Sequence, residues 1–256
     1  MNLLERMQRY ETASNGVLLY RAPIVARFSI RNYYRLIRQL PRPYNPEFMR
    51  ILQETMFSTV KELEGAVFGY QQHGEISYIL RQIDDDGAGP YAGQIQKIAT
   101  TLSSITTLNF AKHYMASDEP PDIVGEAIFE GIVFNISTIS ETMNYLIGQQ
   151  YLCQKNAITI IAEDNLSPVL ANRRTVDEKK ELLEAECGII FDELYSNYFK
   201  YGSCAFKTPK VRGDVARKKW LLEETSPDFM LEKDNIMNII KTGQDIFKPE
   251  RDIQNG

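Results

Sequence analysis

The side chains able to do chemistry are few. His73 and His113 stand 40 positions apart, and Cys153, Cys187 and Cys204 are odd in number and lack a CxxC pair. Two separated histidines cannot build a two- or three-histidine zinc site within one chain. Scattered cysteines argue equally against a cysteine zinc site and a disulfide framework. The three thiols read as small buried apolar groups in a reducing, cytoplasmic setting. A Ser-His-Asp triad is formally open, yet no GxSxG elbow presents the serine. The phosphate loops GxxxxGK[ST] and GxGxxG are missing as well. What remains is charge. Residues 1–50 hold nine arginines against three glutamates, a local net of +6. Residues 207–219 carry Lys207, Lys210, Arg212, Arg217, Lys218 and Lys219 against Asp214, a net of +5, in a chain whose overall charge is −5. An all-arginine cluster suits bidentate phosphate forks, whereas the acidic remainder argues against a general nucleic-acid binder. Solvated helix faces would account for the same clusters.

These groups need a scaffold. With 256 residues, 43% hydrophobic and 25% charged, the composition is that of a globular chain with a real core, as one large domain or a domain with an appendage. The longest apolar run, Ala157 to Ala162, is far short of the roughly 20 residues of a membrane span. Glu5 interrupts the start before a signal peptide could build. Residues 1–20 read as a helix ending in a turn at Asn15-Gly16, followed by a short strand over 23–28. The proline-rich loop 40–46 precedes a helix over 46–63, with Phe48, Leu52, Met56 and Val60 at four-residue spacing. Residues 66–71 and 75–80 form a hairpin around Gln72-His73-Gly74. The acidic loop 84–90 leads into a helix over 91–114, DEPPD is a linker, and a strand over 127–136 precedes a helix over 140–163. Beyond it the pattern gives a helix at 176–186, a strand near 203–207 and a mixed tail. This order predicts an α+β fold of the split βαβ kind, an antiparallel sheet with helices on one face. The division expected is a core over 1–163 and a C-terminal extension over 164–256 packed on it.

Several strings, in this order, resemble the tRNA-histidine guanylyltransferase family. ERMQRYE is similar to D-R-M-K-x-Y-E, and IVARFSIRNYYRL to I-R-x-D-G-[RK]-x-F-H-x-F. PRPYNPEFMRILQETM is similar to the family's [KR]-P-[FN]-D helix, and GYQQHGEISYIL to Y-x-Q-S-D-E-[IV]-S-x-[LV]-L. YAGQIQKIATTLSS, AIFEGIVFNI, YLIGQQYLCQKNAI and YFKYGSC continue the likeness to about residue 207. The resemblance implies a polymerase-palm protein related to enzymes that add nucleotides in the 3′-to-5′ direction. In that family two magnesium ions are held by the Asp of D-G, the Asp of S-D-E and the carbonyl of that Gly.

The departures fall on those positions. The Asp-Gly pair corresponds to Ser29-Ile30, and the Ser-Asp pair to His73-Gly74. Of the acidic set only Glu75 survives. One carboxylate beside a neutral serine is a poor seat for two hard dications. Asp84 lies ten residues past Gly74, about 33 Å along a strand, at the wrong end of the hairpin. The W-R-Q-x-D segment is represented by Gly148 to Leu152, without its arginine and aspartate. Cationic positions persist. The resemblance therefore implies nucleotide or phosphate contacts at Arg27, Arg31, Arg42, His73, Lys155 and Asn156. Lys200, kept in the string YFKYGSC, and the two basic clusters give the expected RNA contacts: Arg35, Arg38, Lys200, Lys210, Arg212, Arg217, Lys218 and Lys219. For His73 and Glu75, ordinary turn and strand-start roles stand beside these.

Three functions follow as alternatives. The first is a degenerate palm protein, without catalytic residues, metal or cofactor, that binds nucleotide or tRNA or serves as an assembly subunit. It would form a homo-oligomer such as a tetramer, or a mixed oligomer with an active paralogue, away from membranes. The second is an active nucleotidyltransferase with relocated metal ligands, using magnesium and GTP. The third is a structural scaffold. The register also predicts that Ser29→Asp with Gly74→Asp restores divalent-metal binding.

Overall fold

The computed structural model describes residues 2–13, 15–83, 89–121, 123, 127–212 and 215–245, without the side chains of 209–218 and 243–245. The DDD run, Asp84 to Asp86, lies outside the described residues.

Six strands form one sheet in the order β4-β1-β3-β2-β5-β6, built from β1 (Ile24–Ile30), β2 (Ala66–Gln72), β3 (Glu75–Leu80), β4 (Phe129–Asn135), β5 (Ser203–Arg212) and β6 (Val215–Glu223). Every neighbouring pair is antiparallel. Alternation along each strand divides the side chains between two faces. Ala26, Phe28 and Ile30 on β1 and Ile76, Tyr78 and Leu80 on β3 face one core, closed by helices α3 (Pro46–Glu62) and α4 (Ile95–Met115).

Sequence signals explain those helices. Asn45 accepts the Phe48 amide at 2.8 Å and Pro46 takes the first helical position, so α3 starts where its cap directs. Its Phe48, Leu52, Met56 and Val60 are all buried. The helix expected from residue 91 begins instead at Ile95, because Tyr91 and Ala92 adopt left-handed φ values of 51° and 50° in the turn before it.

The opposite face also carries helices. Val25, Val67 and Ile79 are covered by Met143 and Leu146 of α5 (Ile139–Asn165) and by Phe229, Ile236 and Ile240 from the segment leading into α10 (Lys233–Asp245) and that helix itself. A third cluster packs α6 (Pro168–Ala171), α7 (Val176–Cys187), α8 (Phe191–Leu194) and α9 (Asn197–Tyr201) against the second half of α5. The division expected at residue 163 falls two residues before the end of α5, and the chain beyond it adds two strands to the same sheet. The mixed tail resolves into a hairpin and a helix.

Two further expectations are corrected. The N-terminal helix α1 spans only Leu3–Thr12 and buries none of its side chains. Cys153 and Cys204 are buried, but Cys187 at the end of α7 is exposed. Among the described residues, no helix is long and apolar enough to cross a membrane.

Candidate nucleotide groove

The sheet's centre brings the expected positions together. Ser29 on β1 pairs with Glu75 on β3 and with Glu130 on β4. Directly opposed residues share a face, so the serine lies between two carboxylates. Arg27, two residues earlier on that face, pairs with Ser77, whose hydroxyl is 2.8 Å from the Tyr145 phenol of α5. Burial raises the Tyr145 pKa, with the charge of Arg27 working against the shift and that of Glu75 adding to it. Ile30 points the other way, into the core at 2% exposure, and its amide donates to the Gly74 carbonyl at 2.9 Å.

Gly74 decides what this site can hold. The short helix α2 (Tyr33–Ile37), which the sequence pattern did not disclose, lays the Tyr33 ring against it. A Cβ at residue 74 would stand 2.5 Å from Tyr33 Cε2 and 2.6 Å from Cγ, with Cδ2 nearer still. Burial, then the neighbouring Cys153, Tyr34 and Glu75, raises the Tyr33 phenol's pKa, so it stays neutral. The ground from which a carboxylate at residue 74 would reach a metal is filled by an aromatic ring. The aspartate pair of the family pattern therefore has no equivalent here, and the carboxylates that flank Ser29 are Glu75 and Glu130. The expected restoration by Ser29→Asp with Gly74→Asp meets the same contact, because an aspartate at 74 requires Tyr33 to move.

His73 is also committed to the fold. Its φ is 44°, its side chain is 4% exposed, and its ring packs edge-on against Phe199 at 5.4 Å. Nε2 lies 3.1 Å from the Cys153 carbonyl, which can only accept, so Nε2 carries the proton. Burial depresses its pKa to about 4. The phosphate contact expected of it is replaced by a structural one.

Two adjoining hollows open beside this turn. One, of about 260 Å³, is lined by Ser29, Asn32, Tyr34, Gln72, Glu75 and Asn156 among others. The second, of about 190 Å³, shares Tyr33, Tyr34, His73 and Asn156 and adds Arg38, Arg42, Thr159 and Glu163. Arg42 is not free there: its Nε and its terminal nitrogen lie 2.8 and 2.6 Å from Asp164 Oδ1. Arg31, Arg35, Arg38 and Lys155 are exposed, and of these four Arg38 lines the second hollow.

The basic positions farther along the chain divide. Lys200 is 2% exposed and donates to the Asp192 carbonyl at 2.7 Å beside the Phe191 ring, so the RNA contact expected of it is corrected to a structural role. Lys219 is exposed on β6. The side chains of Lys210, Arg212, Arg217 and Lys218 lie outside the described residues, although their backbones pair along the β5–β6 hairpin. Sequence reasoning missed Glu130, Gln72, Tyr33 and Tyr34. Strand alternation around Ser29 was the signal available for Glu130.

A sequence profile described as Thg1, tRNAHis guanylyltransferase, matches residues 4–137, just over half the chain. The chain belongs to that family. Solved structures agree in fold. A bacterial tRNAHis guanylyltransferase-like protein in complex with ATP superposes with a TM-score of 0.80 at 22% identity, over 93% of this chain and 99% of that one. The same kind of bacterial protein in complex with GTP gives 0.76 at 21% identity, over 93% and 98%. The tRNAHis guanylyltransferase of Saccharomyces cerevisiae gives 0.66 at 18% identity, over 88% and 97%. No curated protein sequence matches. Within the Thg1 family frame, Ser29 and Gly74 stand where the expected pattern places aspartates, and the sheet register puts those two positions beside Glu75.

Proposed function

We propose that this Thg1-family protein binds a nucleotide or RNA in the palm groove without catalysing two-metal nucleotidyl transfer. It would act as a binding or assembly subunit, as a homo-oligomer such as a tetramer or beside an active paralogue, in the cytoplasm. The observation that carries this reading is the Tyr33 ring over Gly74 next to the uncharged Ser29. Two dications on neighbouring sites need several carboxylates to offset their charge, and one of the two aspartate positions has no room for a side chain. Support for nucleotide binding comes from the family membership and from relatives of the same fold solved with ATP and with GTP. Leu3, Leu4 and Tyr10, which α1 leaves 66–72% exposed, support a contact surface for assembly.

The test is magnesium-dependent incorporation of labelled GTP into tRNA. Background-level incorporation, together with a nucleotide-induced rise in melting temperature, supports the reading. Robust turnover that disappears in Glu75→Gln overturns it. One observation favours an active second reading: Glu75 and Glu130 both oppose Ser29, and the pair could serve as relocated ligands. That reading requires Glu130→Gln to abolish turnover as completely as Glu75→Gln.

A further inference from the structure

The two hollows differ in charge. The lining of the first includes one carboxylate, Glu75, and no lysine or arginine. The lining of the second includes Arg38, Arg42 and Glu163. Arg42 is already held by Asp164, so its guanidinium is engaged by a carboxylate. Arg38 is exposed and has no ion-pair partner among the described residues. A triphosphate without dications would find one available guanidinium, a paired one and the repulsion of Glu75 and Glu163. A single phosphate group, at about −1.5 to −2 charge, matches one arginine fork.

The hollow without lysine or arginine suits the other end of such a ligand. Gln72 is 3% exposed, its Nε2 donates to Gln149 Oε1 at 3.1 Å, and its Oε1 has no protein partner. A buried acceptor left unmatched is costly unless something donates to it, and a turn of the Gln72 side chain toward the hollow it lines would bring Oε1 to the N–H edge of a nucleobase. Tyr34, 68% exposed at the junction of the hollows, offers a stacking face.

We infer that the groove takes a nucleoside monophosphate without a divalent cation, its phosphate on Arg38 and its base beside Gln72, with Tyr33 excluding the carboxylate that a metal would require. The inference rests on the nucleotide-binding reading above and narrows it to one ligand class. Calorimetry of the full chain with GMP and with GTP, each in EDTA and in excess magnesium, tests it. GMP is expected to bind with an affinity that magnesium changes by less than about twofold, and Arg38→Gln to weaken it by about tenfold or more. Asp164→Asn, which releases Arg42, is expected to improve GTP relative to GMP. Thermal melts confirm that each variant is folded; Arg38 is exposed, so its substitution leaves the core alone. Magnesium tightening GTP tenfold beyond GMP overturns the inference and leaves the broader reading standing. GMP binding undiminished in Arg38→Gln overturns the placement of the phosphate. No nucleotide bound under any condition overturns both.

Discussion

Replacing Gly74 with alanine tests the feature on which the site's chemistry turns. The backbone at Gly74 lies outside the left-handed region, so the substitution carries no conformational penalty of that kind. Its cost is contact alone. The new methyl would stand 2.5 Å from Tyr33 Cε2, well inside van der Waals separation, so the ring must move out of its packed position. Overpacking of this sort costs about 1–3 kcal/mol, which in a chain of this size lowers the melting temperature by roughly 2–4 °C per kcal/mol. Tyr33→Ala alone gives up a half-buried ring, about 2 kcal/mol. The double variant has nothing to collide with, so its loss should fall short of the sum of the singles by about 1–2 kcal/mol. Urea melts of the four proteins give that coupling directly. Strict additivity, within about 0.5 kcal/mol, would refute the claim that Tyr33 fills the space above residue 74.

Three other outcomes are expected. The triple variant Ser29→Asp, Tyr33→Ala, Gly74→Asp should bind manganese in calorimetry where the double variant retaining Tyr33 does not; equal binding by both removes the ring as the obstacle. His73 has a folded pKa of about 4, below the ordinary 6.5, so the unfolded chain takes up a proton that the folded one refuses. Its contribution is present above pH 6.5 and is lost as pH falls, by about 2 kcal/mol at pH 5. His113 is shifted the same way by burial, so the informative quantity is the difference between wild type and His73→Gln, which should show the shallower pH slope. Finally, Lys200→Met should destabilise the protein by about 1–3 kcal/mol, because the Asp192 carbonyl loses its donor. It should leave tRNA affinity in filter binding unchanged, and a large loss of affinity in a folded Lys200→Met would restore the RNA-binding reading of this lysine.

The parts of this fold legible in the sequence are those whose signal is local and repeated. Asn45-Pro46 followed by Phe48, Leu52, Met56 and Val60 states a cap and a stripe, and the helix follows both. The hairpin at His73-Gly74 is similarly marked by two short apolar strands and a two-residue turn. The juxtaposition of Ser29 with Glu75 was reached through family strings, and the strand register places the two opposite each other. What stayed hidden depends on contacts distant in sequence. The packing of Tyr33 on Gly74 comes from a five-residue helix that carries no periodicity, entered through Asn32 at a φ of 57°. The pairing of Arg42 with Asp164 spans 122 residues. The burial of Lys200 looks, in sequence, like any surface lysine. Of the β5–β6 hairpin only the start of β5 was legible, since the clustered basic residues of 207–219 obscure the apolar half of the pattern.

The placement of Phe229, Ile236 and Ile240 against Val25, Val67 and Ile79 ties the last described helix to the middle of the sheet. Once α5 has been made, part of that face of β1, β2 and β3 therefore stays open to water until the segment from Phe229 to Ile240 leaves the ribosome. Over that interval the nascent protein carries an unsatisfied apolar surface, a window in which chaperones or premature association act most strongly.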